Sequence, residues 1–271
     1  MPRLRRAMIL LLLSLGGGYL LVAGLAFTSQ RRLLFPAGPP QPVQIASATL
    51  LRIPRAGGKE VVAAHVPARP GAPTVVHFHG NGEQLADADL LAAVITRQGL
   101  GFLSVEFPGY GLMAGEEPSE AGLYEAADAA LTWLHSGLGV APAQTVLLGQ
   151  SLGTGVATEM AVRGHGARLI LISPYTSIVD VAGGAFPFLP VSLLLRDRFE
   201  TAERAPSVRI PVLILHGDRD EVVPVQMGET LATLFPEAVS RIIEGRGHND
   251  LFASGTALLA LIGRFARGEA L

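Results

Sequence analysis

Along the chain, hydrophobic positions fall into two regimes. The first is an unbroken apolar run from Ala7 to Phe27 that contains no charged residue. Coiled as a helix at about 1.5 Å per residue it reaches about 30 Å, the thickness of a bilayer core. Residues 1–35 are therefore expected to form an N-terminal transmembrane helix with its juxtamembrane end. A cleaved signal peptide is the competing reading, because Gly24-Leu25-Ala26 offers small residues at a suitable spacing. The run, however, exceeds the ~7–15 apolar residues of such peptides. Arg3, Arg5 and Arg6 before the run nearly balance Arg31 and Arg32 after it. The slight N-terminal excess places the bulk of the chain on the extracytoplasmic side. GPPQPV comes next, and residues 36–47 read as a proline-rich linker that resists regular structure.

The second regime begins at Ala48, where short apolar runs alternate with longer amphipathic ones. This rhythm predicts a mainly parallel sheet of about eight strands with helices on both faces, an α/β domain over residues 48–271. Thr49–Ile53 and Glu60–Val66 read as an antiparallel lead-in. Thr74–Phe78, Gly101–Glu106, Thr145–Leu148, Leu169–Ile172, Val212–Leu215 and Ser240–Ile243 read as central strands, apolar enough for burial on both faces. Helices are expected at Glu83–Gln98, Ser119–Ser136, Leu152–Arg163, Val225–Phe235 and Asp250–Arg267. After the Leu169–Ile172 strand the rhythm breaks. A long, apolar, proline-punctuated insert at about 174–206 separates it from the next strand.

Composition narrows the chemistry. The 271 residues suffice for one large α/β domain, and no compositional shift marks an internal boundary. A net charge of −2, with charged residues at 16% and no basic stripe, argues against a nucleic-acid partner. The absence of cysteine excludes disulfides, thiol catalysis and Cys-type zinc sites. Lys59 is the only lysine, which removes S-x-x-K chemistry.

In such sheets ligands collect at the carboxyl ends of the strands. Four of those ends carry reactive groups: HFHGNGEQ after Val76, GQSLG after Leu148, HGDRDEVVP after Leu215 and EGRGHND after Ile243. A serine hydroxyl is a weak nucleophile at neutral pH. It needs a base to take its proton, and the base needs an acid partner to fix its tautomer. Ser151 lies between Gly149 and Gly153, where a sharp strand-to-helix turn leaves no room for side chains. Leu152 would open the following helix and offer a free N–H to a developing oxyanion. His248 lies after the last strand, between a glycine turn and a helix. Asp218 and Asp220 follow the same strand and compete as the acid.

These motifs, together with EFPGYG and SPYTS, make the stretch from about Thr49 to the C-terminus resemble the α/β-hydrolase family. The N-terminal anchor and RRLLFP resemble its membrane-anchored serine-hydrolase branch, which includes members that cleave acyl esters and thioesters. The resemblance implies Ser151 as nucleophile, Asp220 as the acid of the H-G-x-x-D-x-x-V-P pattern and His248 as base. It also implies Asn81, after His79-Gly80, as a second oxyanion donor through its backbone N–H, and a small lid over the insert. Glu106 stands where the family usually has an aspartate, at a position that is normally structural.

The implied activity is a membrane-tethered serine hydrolase that needs no cofactor or metal and acts on a small-molecule or lipidic acyl substrate. Two alternatives stand beside it. An aminopeptidase-like peptidase would need Glu83, Glu106 or Asp180 to approach Ser151, and a non-catalytic scaffold would have no need of Ser151, Asp220 and His248 together. His77, His79 and His216 read as hydrogen-bonded core or loop residues, and His65, His135 and His165 as surface residues. Glu83 reads as a solvated residue in the first turn of a helix. Tyr110 would either line an acyl pocket or pack under a turn. Phe186, Phe188, Leu189, Val191 and Leu193–Leu195 would line an acyl pocket, lie on the membrane or pack as an ordinary helix.

Overall fold

The computed structural model describes residues 2–254 and 256–271. A single helix, α1 (Pro2–Leu34), contains the whole apolar run. Residues 36–46 have no regular structure, yet they lie against the domain at both ends. Phe35 and Ile45 are buried in its core, and Gln84 accepts from Gln41 N–H and donates to the Pro39 carbonyl.

Eight strands form one sheet, β1 (Thr49–Arg55), β2 (Lys59–Val66), β3 (Thr74–Phe78), β4 (Gly101–Val105), β5 (Thr145–Gln150), β6 (Arg168–Ile172), β7 (Val212–Gly217) and β8 (Ala238–Ile243). Their spatial order is β1-β2-β4-β3-β5-β6-β7-β8. The first two strands pair antiparallel, as their antiparallel lead-in pattern requires, and β3 to β8 run parallel. The strand read at Ser240–Ile243 does not belong with the central ones. As β8 it is the sheet's edge, with Val239 and Ile242 over a third exposed. Its apolar residues cover one flank of β7 instead of sitting between two neighbours.

The remaining helices are α2 (Asp89–Arg97), α3 (Glu120–Gly137), α4 (Leu152–Val162), α5 (Ile178–Ala185), α6 (Val191–Leu194), α7 (Thr201–Arg204), α8 (Val225–Leu234) and α9 (Thr256–Arg267). The chain steps from β3 to β4 in one direction across the sheet and from β4 to β5 in the other. Because such crossovers are right-handed, α2 and α3 fall on opposite faces. Accordingly α3 packs on α4, and α2 packs on α9. The crevice between the diverging connections opens at the carboxyl ends of β3 and β5.

Two helices start later than their sequence pattern indicates. The segment expected to begin at Glu83 first makes a 3-10 turn at Leu85–Ala88, capped reciprocally by Gln84 and Asp87. The last helix is preceded by a 3-10 turn at Leu251–Ser254, and Gly255 between the two lies outside the described residues. The insert forms the short helices α5, α6 and α7 between β6 and β7.

Candidate active site

The turn between β5 and α4 is the tightest point of the sheet's carboxyl edge. Ser151 occupies it with φ 47° and ψ −117°, a conformation that costs an L-residue about 1–3 kcal/mol. Its N–H donates to the Ile172 carbonyl at 2.9 Å, which ties the turn to the end of β6. A Cβ at Gly149 would overlap the Gly153 carbonyl, and one at Gly153 would overlap the carbonyl of Phe78 at the end of β3. Both glycines are thus required by backbone packed against backbone, which leaves the Ser151 side chain to stand out at the apex.

The loop after β7 brings Asp220 to the same edge. Its Oδ1 accepts from Val222 N–H at 3.0 Å and Val223 N–H at 2.7 Å. Its Oδ2 lies 2.8 Å from His248 Nδ1 and 3.3 Å from His216 Nε2. A carboxylate only accepts, so His248 carries its proton on Nδ1 and leaves Nε2 free to accept. That Nε2 is 2.9 Å from Ser151 Oγ. Burial opposes ionisation of Asp220, but the hydrogen bonds from His216, His248 and the Val223 N–H outweigh it and hold the carboxyl well below the usual carboxylate range. Asp218 serves elsewhere, accepting from Gly245 N–H at 2.6 Å in the loop that carries His248.

Two peptide units at this edge have their orientation fixed through their carbonyls. The Ser151 carbonyl accepts from Thr154 N–H and from its hydroxyl, at 2.9 and 2.7 Å. Across a trans peptide the Leu152 N–H must then point the opposite way, out of the helix start. The Gly80 carbonyl lies 2.9 Å from His79 Nδ1, which turns the Asn81 N–H away from the buried histidine ring in the same manner. Asn81, Ser151, Leu152 and His248 all line one cavity of about 830 Å³, within the usual range for small-molecule sites.

Several residues take places the sequence pattern did not disclose. Glu83 is not a solvated helix residue. Its Oε2 accepts from Gly80 N–H at 2.6 Å and its Oε1 from Gln150 Nε2 at 2.7 Å, so one carboxylate joins the β3 loop to the residue before Ser151. The Asn81 side chain is held by Tyr110, whose hydroxyl donates to Asn81 Oδ1 at 2.6 Å; Tyr110 thus packs beneath the loop and does not line the cavity. Glu106 is buried and accepts from Leu85 and Leu112 N–H, and Asp180 accepts from the Thr176 hydroxyl. Among the described residues no carboxylate lines the cavity. His77 pairs with the Ser104 hydroxyl, and burial, with His79 beside it, pushes its imidazole down to about 3. His165 is paired with Asp128, His135 lies against the Val140 carbonyl, and His65 is half-buried; none is a free surface histidine. Among the described residues no group of histidine and carboxylates has the arrangement of a metal site. From the insert, Phe186, Leu189, Val191, Leu194 and Leu195 line the cavity, whereas Phe188 and Leu193 face outward.

Comparison with known proteins identifies the family of this fold. An uncharacterized protein of Mycobacterium tuberculosis is 34% identical over 249 residues, which cover 88% of each chain. Alpha/beta hydrolase domain-containing protein 17C of Xenopus tropicalis is 36% identical over 180 residues, 66% of this chain. The chain belongs to the α/β-hydrolase family. The matched stretch spans about half the length of the 17C proteins, 56% in the Xenopus tropicalis one. No family model matches the chain. Among solved α/β hydrolases, an esterase of Pyrococcus furiosus superposes with a TM-score of 0.68 at 15% identity, covering 86% of this chain and 99% of that one. The family supports a hydrolase function, and the eight-stranded sheet with its carboxyl-edge crevice is the family's fold.

Proposed function

We propose that the protein is a membrane-tethered serine hydrolase that cleaves carboxylic ester or thioester acyl bonds. One observation carries the reading, the continuous relay Ser151 Oγ–His248–Asp220 with links of 2.9 and 2.8 Å. His248 Nε2 takes the Ser151 proton as Oγ bonds to the acyl carbon. The resulting oxyanion faces the Asn81 and Leu152 N–H groups. Collapse breaks the carbon–oxygen or carbon–sulfur bond, and the leaving group departs with the proton from His248. Water then gives a proton to His248, attacks the acyl-enzyme and releases the acid, and the proton returns to Ser151. Asp220 remains ionised throughout and stabilises the imidazolium. An apolar cavity free of carboxylates favours a neutral acyl group over the charged amino end of a peptide. The tether is α1, whose segment Arg3–Leu34 has a mean hydropathy of 2.2 over its most apolar window and is almost wholly unburied.

A panel of p-nitrophenyl esters, acyl thioesters and aminoacyl anilides tests the reading. Esters or thioesters should turn over and anilides should not, with activity lost in Ser151→Ala. Preferential cleavage of the anilides, or unaltered ester cleavage by Ser151→Ala, would contradict it.

A further inference from the structure

One wall of the cavity comes from the N-terminal helix. Val22, Leu25, Ala26, Ser29, Gln30 and Leu33 line it, and their spacing of three and four residues puts them in one stripe on α1. The stripe extends for about 17 Å at the helical rise. Its upper part, Val22 to Ala26, lies inside the uncharged run that ends at Phe27. Its lower end reaches the catalytic loops, where Asn81 Nδ2 donates to the Leu34 carbonyl at 2.7 Å. The same side chains therefore border both the apolar span and Ser151.

A second wall is the insert, and polar contacts at several levels fasten it to α1. Gln30 donates to the Leu194 carbonyl and accepts from Arg196 N–H, at 3.1 and 2.8 Å. Arg31 pairs with Asp197 at 3.0 Å, and the Arg196 guanidinium lies over the Phe27 ring. Higher up, the Tyr19 hydroxyl donates to the Phe188 carbonyl at 3.0 Å. That contact holds the insert's tip, where Phe188 and Leu193 are 86% and 83% exposed, beside the middle of the apolar run. Large apolar side chains so exposed call for a nonpolar surrounding, and the bilayer that takes up α1 supplies it at that depth.

We propose that the substrate is a long-chain acyl ester or thioester resident in the membrane, its chain passing from the bilayer along the α1 stripe to Ser151. The proposal rests on the membrane-tethered hydrolase reading and adds that α1 is part of the acyl-binding site as well as an anchor. A soluble short-chain ester would leave most of the α1 stripe unused. A long chain would cover it and never cross water.

The test uses the full chain in phosphatidylcholine vesicles, with fluorogenic butanoyl and hexadecanoyl esters in the same vesicles. The readout is the ratio of kcat/KM for the long ester to that for the short one. Ala26→Trp and Leu33→Trp, which project a large ring from the stripe, should lower this ratio by about tenfold or more. Leu21→Trp, outside the stripe, should leave it at the wild-type value. Covalent labelling of Ser151 by a small fluorophosphonate establishes that each variant retains a formed site. If Ala26→Trp fails that check, Leu33→Trp decides. Unchanged ratios in labelled stripe variants would overturn the inference and leave the hydrolase reading standing. No cleavage of either ester by labelling-negative wild type would overturn the hydrolase reading itself. For the wild type, the hexadecanoyl ester should be cleaved faster in its own vesicles than when offered in separate ones. Equal rates would overturn delivery from the bilayer.

Discussion

At the scale of single residues, the two aspartates after β7 carry opposite expectations. Asp220 holds His248, so Asp220→Asn should leave the imidazole in the wrong tautomer and lower kcat by about 10⁴-fold. Asp218→Asn alters the acceptor of the Gly245 N–H, away from His248, and should cost far less. A larger loss in the second variant, measured by ester turnover, would reverse their roles. Glu83 acts at one remove, through the Gly80 N–H and Gln150. Glu83→Ala should reduce kcat with little change in KM, and Glu83→Gln, which keeps an acceptor for Gly80, should restore part of it. Equal loss in both variants, or a change confined to KM, would contradict a positioning role. The Ser-Asp-His order and the four strand-end loops made Ser151, Asp220 and His248 legible in the sequence. Glu83 was not, because the contact that defines it spans 67 positions to Gln150 and leaves no mark on its neighbours.

His77 gives a residue-scale expectation for stability. The folded protein holds this imidazole neutral down to about 3, against an ordinary value of 6.5. Between those values the unfolded chain binds a proton that the folded chain refuses. The stability associated with His77 is therefore complete above 6.5 and declines as the pH falls towards 3, at up to about 1.4 kcal/mol per pH unit. Thermal unfolding in detergent micelles should show a steeper acid loss for wild type than for His77→Gln. Parallel curves would show that another group dominates.

At the scale of elements, the β5–α4 turn depends on two glycines whose missing side chains let β3, β5 and α4 meet. Gly153→Ala would drive a methyl into the Phe78 carbonyl, and should lower stability by about 3 kcal/mol or more. Gly183→Ala in α5 meets nothing within 4 Å and should not lower stability. Thermal midpoints of the two variants decide the matter, and an equal response would contradict the packing account. The rhythm of apolar runs made all eight strands and the principal helices legible, since each run is a local pattern of the right period. The rank of a strand within the sheet is not local. The β8 run AVSRII is apolar enough for a central position, and it is an edge because, among the described residues, no further strand pairs beyond it. The late start of α2 has the same origin, because Glu83 and Gln84 are engaged by Gly80, Gln150 and the proline-rich segment instead of by a helix.

At the scale of the whole molecule, the structure joins two regions that the sequence presents as separate. The length of the apolar N-terminal run is by itself the basis for expecting a span. The contribution of its side chains to the cavity is not legible, because the residues of the α1 stripe are as apolar as the rest of the helix. Only Ser29 and Gln30 break the pattern, and Gln30 is the residue that fastens α1 to the insert. Helix α1, the insert and the sheet edge thus line one cavity at Ser151. The family accounts for the sheet and supports a hydrolase function, and the apolar walls of the cavity are what the proposed acyl substrate rests on.

Reactivity separates a Ser151 nucleophile activated by His248 from an ordinary loop serine. Its most direct measurement is labelling of the full chain with a fluorophosphonate, followed by mapping of the modified peptide. Wild type should be labelled at Ser151, Ser151→Ala should not be labelled, and His248→Ala should be labelled far more slowly. Equal labelling of wild type and Ser151→Ala, or modification mapped to another residue, would contradict the account.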